Sequence, residues 1–240
     1  VTGSKGQLGY EIMNMLNEKE DVVGIDIETL DITDSKNCYQ YITSLQPDVV
    51  IHTAAYTNVD GCESNADLAY RVNVIGTQNI ASACLACDAK MIYISTDFVF
   101  DGKKNDPYDE FDDPNPISIY GRSKLAGEKM VQSILNKYFI VRTAWLYGLN
   151  GNNFVKTMLR LAKEKDEISV VNDQWGTPTY TKDLSQVICK LLYTNNYGIY
   201  HGSNKGSCTW YDFAKKIFEL AEMKNIIVKP ITTEDLGRPA

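Results

Sequence analysis

No apolar stretch in these 240 residues approaches the ~20 consecutive apolar residues a helix needs to cross a bilayer, and no charged-then-apolar leader precedes the first motif. No membrane partner is therefore expected. Basic clusters are equally scarce. The net charge is −7, the pI is about 4.9, and adjacent basic residues occur only at Lys103-Lys104 and Lys215-Lys216. Neutralising nucleic-acid phosphates takes clustered Lys and Arg, so no nucleic-acid partner is expected either. The six cysteines, Cys38, Cys62, Cys84, Cys87, Cys189 and Cys208, are scattered instead of forming a dense framework. That pattern suits reduced thiols and a cytoplasmic protein. Cys84 and Cys87 form a C-x-x-C inside the Ala-rich stretch Ala81 to Cys87. With no second C-x-x-C or His pair beside it, the motif reads as helix packing and not as zinc or redox chemistry. Internal repeats and low-complexity tracts are absent.

The hydrophobic content, 44% of the chain, is enough for a sizeable core, either one large α/β domain or a domain with a smaller lobe. Val1-Thr2-Gly3-Ser4-Lys5-Gly6-Gln7-Leu8-Gly9 is a G-x-x-G-x-x-G loop, and Tyr10 to Leu16 continues it with helical apolar spacing. Such a loop lets a backbone approach a pyrophosphate and aims a helix amino terminus at it. Val22-Val23-Gly24-Ile25-Asp26 follows as a strand ending in an acid, near the ~20-residue separation expected of a ribose-binding carboxylate. Gly3, Gly6 and Gly9 would shape the loop, with Gln7 and Leu8 presenting backbone N–H groups. Asp26 favours free ribose hydroxyls and NADH, whereas Lys5 could meet a 2′-phosphate and favour NADPH. Because such a loop follows a strand, a first strand is expected to extend upstream of Val1. The other end, Leu236 to Ala240, likewise lacks a closing element.

Between the ends, strand-like and helical patterns alternate. Pro47 to His52 is an apolar run, Leu68 to Cys87 has helical spacing, Lys90 to Ser95 is β-rich, Ser118 to Leu135 is helical and Tyr138 to Thr143 is a strand. This βαβ rhythm predicts an α/β fold, a doubly wound parallel sheet of Rossmann type with helices on both faces. The Asp-, Pro- and Asn-rich segment Asp101 to Pro116 is a loop on the side where such sheets bind ligands. After Leu146 the rhythm changes. Asn152 to Lys165 reads as helix, Ile168 to Val171 as a short strand and Asn172 to Thr179 as an aromatic, amide-bearing loop. Residues 1–148 thus form the dinucleotide-binding part with its first strand truncated, and residues 149–240 mainly a substrate-binding lobe, interleaved with the first and also truncated.

Two segments carry chemistry. Ser95-Thr96-Asp97-Phe98-Val99-Phe100 supplies a hydroxyl at a strand end, and Tyr120-Gly121-Arg122-Ser123-Lys124 a phenol and an ammonium four residues apart. In a helix that spacing puts Tyr120 and Lys124 on one face, where the ammonium is expected to ease ionisation of the phenol. The result is a proton donor for carbonyl reduction. In a chain with 15 Tyr and frequent Lys, chance alone gives about one Y-x-x-x-K match. A second copy, Tyr211 with Lys215, falls in what reads as the buried start of a late helix, far from the glycine loop. Tyr120 is the candidate that has a cofactor loop to serve.

Together with the glycine loop and the Tyr120/Lys124 pair, Thr53-Ala54-Ala55 and Asn73-Val74-Ile75-Gly76-Thr77 resemble the extended short-chain dehydrogenase/reductase superfamily. Narrower motifs are Ser95 to Gly102, Tyr120 to Glu128, Arg142-Thr143-Ala144-Trp145-Leu146-Tyr147-Gly148, Asn153-Phe154 and Asp173-Gln174-Trp175-Gly176-Thr177-Pro178-Thr179. They resemble the dTDP-4-dehydrorhamnose reductase family across nearly the whole chain. The resemblance implies NADPH- or NADH-dependent reduction of the C4 ketone of dTDP-4-dehydro-L-rhamnose to dTDP-L-rhamnose. Thr96 would then bond the carbonyl, Tyr120 protonate it and Lys124 hold the nicotinamide ribose. By the same resemblance Asp31 and Ile32 contact adenine, Ala54, Ala55 and Thr57 line the dinucleotide groove, and Val59, Asp97, Phe98, Trp145 and Gln174 meet the nucleotide sugar. It also implies Mg2+ at a contact between two copies, which allows a homodimer. Glu11 is an acid in a matching place, and its other ligands are unknown.

Two alternatives stay open on the residues alone. The regulatory β subunit of methionine adenosyltransferase resembles this family and binds dinucleotide as a partner protein, although the Asn153-Phe154 and Asp173 to Thr179 motifs look like the reductase version. An epimerase or reductase of another nucleotide sugar would share most of the site.

Overall fold

A computed structural model describes residues 1–240. Along the chain its elements are α1 (Gln7–Leu16), α2 (Ser35–Leu45), β1 (Val49–His52), α3 (Val59–Ser64), α4 (Ala66–Tyr70), a π-helical turn (Arg71–Gly76), α5 (Thr77–Ala86), β2 (Lys90–Thr96), a 3₁₀ turn (Asp97–Val99), α6 (Ile119–Ile134), β3 (Tyr138–Thr143) and β4 (Leu146–Tyr147). The chain continues through α7 (Phe154–Leu161), β5 (Glu167–Val171), β6 (Trp175–Gly176), β7 (Thr179–Tyr180), α8 (Thr181–Leu192), β8 (Gly198–His201), β9 (Cys208–Thr209), α9 (Trp210–Leu220), β10 (Ile227–Ile231) and α10 (Thr233–Leu236).

The main sheet runs β1-β2-β3-β8 with every pair parallel. Parallel neighbours need crossover connections, and the helices that make them cover both faces. Side chains on β2 and β3 alternate accordingly. Met91, Tyr93 and Ile140 join one buried cluster with residues of α2 and α5, whereas Ile92, Ile94, Phe139 and Val141 join a second with α1 and α8. Removing one such side chain from water contributes about 1.5–3 kcal/mol, so these strands are held from both sides. The result is a Rossmann-type α/β fold. A third, smaller cluster of Met158, Ile168, Val170, Ala214, Ile217 and Phe218 joins α7, β5 and α9, with β10 pairing parallel to β5. None of the helices is long and apolar enough to cross a membrane.

The strand expected over 22–26 is reduced to a bridge. Thr2 pairs in parallel with Ile25 on one side and His52 on the other, and Val1 O accepts from Ile25 N at 2.8 Å. On the other side of Gly3, Ser4 N donates to Ile25 O at 3.1 Å. The helical pattern from 68 to 87 is interrupted by the π-helical turn, a wider turn often found at functional sites. The helix expected over 152–165 is shorter, because Asn153 caps α7 by accepting from Lys156 N. In the C-x-x-C, both thiols are free and burial pushes Cys84 up to about 12, so that thiol stays protonated.

Candidate active site

The glycine loop closes on itself. Gly3 is left-handed, with φ +67, and a Cβ placed on Gly9 would lie 2.2 Å from Gly3 O. Helix α1 begins directly after Gly6 with no side chain capping it, so its first-turn N–H groups, those of Gln7 and Leu8 included, are free to meet an anion. This uncapped helix start behind a loop with glycine at positions 3, 6 and 9 fits the pyrophosphate of a dinucleotide. Asp26 binds the loop to the second strand position. Its Oδ2 accepts from Lys5 N at 2.9 Å and its Oδ1 from Ile27 N at 2.9 Å. The Lys5 ammonium pairs with Glu28 at 3.0 Å on the surface.

Residues 53–59 connect this loop to the chemistry. Thr53 Oγ1 donates to Thr2 O at 2.7 Å, and Gly3 packs directly on Ala54. Ala55 is half-buried and Thr57 exposed. Tyr56 and Val59 then pack on the small cluster of Cys62, Ala69 and Tyr120. Asp31 lies at the surface and accepts from Thr33 N and Oγ1. The side chain of Ile32 goes into the core, and its carbonyl accepts from Asn79 Nδ2 at 2.9 Å.

At the carboxyl end of β2, Thr96 accepts from Phe98 N at 3.3 Å and donates to Asp97 Oδ1 at 3.0 Å. Phe98 meets the Tyr120 ring edge-on, with centroids 5.5 Å apart. Tyr120 and Lys124 are 9% and 3% exposed. Ser118 starts their helix by accepting from Gly121 N, and Glu63 accepts from Ile119 N. The Lys124 ammonium donates to Ile94 O at 2.8 Å and lies 4.1 Å from the centre of the Tyr93 ring.

The electrostatics correct one expectation. Burial is the largest influence on the Tyr120 phenol and pushes it well above its ordinary value, aided by the charge of Asp97 and opposed by the Thr96 hydroxyl. The phenol is therefore held protonated instead of being eased toward phenolate. Burial lowers Lys124 to about 7, against an upward pull from Glu128. Burial also raises the Asp97 carboxyl to about 6, with the Thr96 hydroxyl bond opposing it.

Of the sequence-derived substrate residues, Val59, Asp97 and Phe98 gather around Tyr120. Two others make contacts away from this group. Trp145, at φ +45, stacks on Trp210 with centroids 3.5 Å apart and planes at 11°, and the Gln174 amide donates to Thr233 Oγ1 at 3.1 Å. Lys215 lies over the Tyr211 ring on α9, beside the third cluster. Within the chain no three His, Cys, Asp or Glu side chains, Glu11 included, converge to hold a metal ion.

Several supporting residues were not singled out from the sequence. Asn73, in the π-helical turn, accepts from Tyr56 N at 2.8 Å and donates to Ser123 Oγ at 2.9 Å, which joins the 53–59 segment to α6. His52 spans Thr2 Oγ1 and Thr77 Oγ1, and burial depresses it to about 3, so it is neutral. Glu128 and Arg142 form a buried ion pair at 2.7 Å. Asn73, Glu128 and Arg142 all lie inside the motifs that carry the family resemblance, and their presence there was the available signal.

A family model described as RmlD substrate binding domain matches residues 1–240. The spore coat polysaccharide biosynthesis protein SpsK of Bacillus subtilis (strain 168) is 42% identical over 245 residues, covering 100% of this chain and 86% of that protein. The dTDP-4-dehydrorhamnose reductase of Aggregatibacter actinomycetemcomitans is 41% identical over 248 residues, covering 98% of this chain and 84% of that protein. The crystal structure of dTDP-4-dehydrorhamnose reductase from Bacillus anthracis str. Ames in complex with NADP superposes with a TM-score of 0.97 at 52% identity, covering 100% of this chain and 85% of that one.

Proposed function

The chain belongs to the RmlD substrate binding domain family, and on that premise we propose that it is an NADPH- or NADH-dependent reductase of the C4 ketone of dTDP-4-dehydro-L-rhamnose, yielding dTDP-L-rhamnose. The observation that carries this reading is a buried, protonated phenol, Tyr120, grouped with Thr96 and Lys124 at the end of β2. Residues 53–59 link that group to the glycine loop. The reductase names and the NADP complex among the relatives support it.

Reduction of a ketone needs a proton at the oxygen as alkoxide character develops, and a phenol kept protonated at neutral pH is a general acid for that step. When bound, the reduced nicotinamide supplies the hydride. Gly3, Gly6 and Gly9 leave room for its pyrophosphate, and the N–H groups of Gln7 and Leu8 would bind it. The single hydroxyl proton of Thr96 is donated to Asp97, and turning it to the substrate oxygen would fix the carbonyl beside Tyr120. Lys124, whose ammonium donates to Ile94 O from the same helix face, would hold the nicotinamide ribose. Val59 and Phe98 form an apolar wall around the phenol and limit its access to water.

The test is loss of nicotinamide absorbance with the dTDP-linked 4-keto sugar, comparing NADPH with NADH and wild type with Tyr120→Phe. Rapid oxidation by wild type, reduced on the order of 10²–10⁴-fold in the variant, is the expected result. Tight dinucleotide binding with no oxidation would overturn it in favour of a regulatory, partner-binding role.

A further inference from the structure

Tyr120, Lys124 and Glu128 follow one another at four-residue steps on α6, a spacing that puts them on one helix face. All three are buried, and Glu128, at 1% exposed, is the deepest. Its carboxylate is held from two strands. Arg142 of β3 donates through Nε to Oε1 at 3.0 Å and through Nη2 to Oε2 at 2.7 Å, and Ser95 of β2 donates through Oγ to Oε1 at 2.5 Å. Ser95 directly precedes Thr96, and Ser95 and Arg142 are register partners across β2 and β3. One carboxylate therefore ties the helix carrying Tyr120 to the strand end carrying Thr96. The contact is close: a Cβ on the adjacent Gly127 would lie 2.4 Å from the Tyr93 hydroxyl and 2.6 Å from Asn73 O.

Stability alone does not account for this arrangement. Well-packed apolar residues often replace a buried ion pair without loss, and Arg142 Nη1 has no partner at all. We propose that Glu128 is a positioning residue of this reductase: through Ser95 and Arg142 it sets the depth and rotation of α6 against β2, and its negative charge favours the ammonium form of Lys124. The kinetic part of this inference rests on the reductase reading. The charge part does not.

The groups around Lys124 leave that task to Glu128. Tyr93 and the Ile94 carbonyl face it from β2, and His52 of β1, which feels the Lys124 charge, is neutral. Asp97 of the 3₁₀ turn and Cys62 of α3 act on Tyr120, Arg142 of β3 is bound to Glu128 itself, and Asn73 of the π-helical turn bonds uncharged partners. Glu128 is the charge that raises Lys124 against its burial.

The experiment follows the Lys124 Cε resonance in 13C-lysine-labelled full chain, assigned by its loss in Lys124→Arg, alongside kcat and KM. Wild type should titrate near 7, the value set by burial against Glu128. Glu128→Gln should lower that midpoint by about one unit and reduce kcat about 10²-fold, the scale of a small misplacement of reacting groups, with KM unchanged. The double variant Glu128→Met/Arg142→Met strands no charge, and in it the same two changes should appear if Glu128→Gln does not fold. Ser95→Ala, which removes one hydrogen bond and no charge, should lower kcat while leaving the midpoint in place. An unchanged midpoint and kcat in either folded Glu128 variant, or wild-type kcat in Ser95→Ala, overturns the proposal. If wild type fails to reduce the keto sugar, the reductase reading fails, and the resonance midpoints still decide the charge role.

Discussion

The side-chain amide of Asn153 donates to Gln7 Oε1 at 2.8 Å across 146 positions of sequence, so the residue that caps α7 also holds the first residue of α1. The same amide donates to Gly148 O, and Asn150 Nδ2 reaches Lys5 O at 3.3 Å. The loop leading into α7 is thus fastened to the glycine loop. Asn153→Ala removes a cap worth about 0.5–2 kcal/mol together with the Gln7 tether. Urea unfolding should report a loss of that size, and dinucleotide Kd should rise. A Kd equal to that of wild type would show that the tether has no part in binding.

Asp97 makes the site less stable as pH rises. Its carboxyl stands at about 6 in the folded protein against an ordinary 3.8. Between those values the folded chain binds more protons than the unfolded one, and stability falls with increasing pH. Asp97→Asn should therefore be more stable than wild type at pH 7 by about 1–3 kcal/mol, the difference closing near pH 4. Denaturant unfolding across that range checks it, and a gap independent of pH would contradict the assignment to this carboxyl.

Gly9→Ala places a methyl 2.2 Å from Gly3 O, and neither a Cβ fixed to its Cα nor a backbone carbonyl can swing aside. Overpacking of this kind costs about 1–3 kcal/mol, and at this position it also distorts the anion cradle. The variant should melt at lower temperature and lose dinucleotide affinity by at least about tenfold, a loss of ~1.4 kcal/mol, measurable by fluorescence titration.

Cofactor choice should respond to Glu28. Its carboxylate pairs with Lys5 at 3.0 Å, close to where a 2′-phosphate would meet the ammonium. Glu28→Gln frees that charge and removes a repulsive one. The kcat/KM ratio of NADPH to NADH should rise several-fold at low salt, with the effect shrinking as ionic strength increases. An unaltered ratio would place the 2′ position away from Lys5.

Much of the scaffold is legible in the sequence because it depends on spacing. The runs at 49–51, 91–94 and 138–141 are apolar throughout, as strands covered on both faces must be. The glycine loop and the Tyr120/Lys124 step likewise declare themselves over a few residues. Boundaries and breaks are harder. Within the π-helical turn the Asn73 amide bonds Tyr56 and Ser123, partners that helical periodicity does not reveal.

What the sequence by itself determined is the α/β rhythm, the glycine loop and the four-residue step from Tyr120 to Lys124, since each is set by neighbours within a turn or a strand. Tertiary structure alone decided the rest. It decided that Tyr120 is held protonated, that Trp145 lies on Trp210, and that Glu128 faces Arg142. Burial and charge act through space, and the groups that bury a phenol or meet a carboxylate come from strands and helices far apart along the chain.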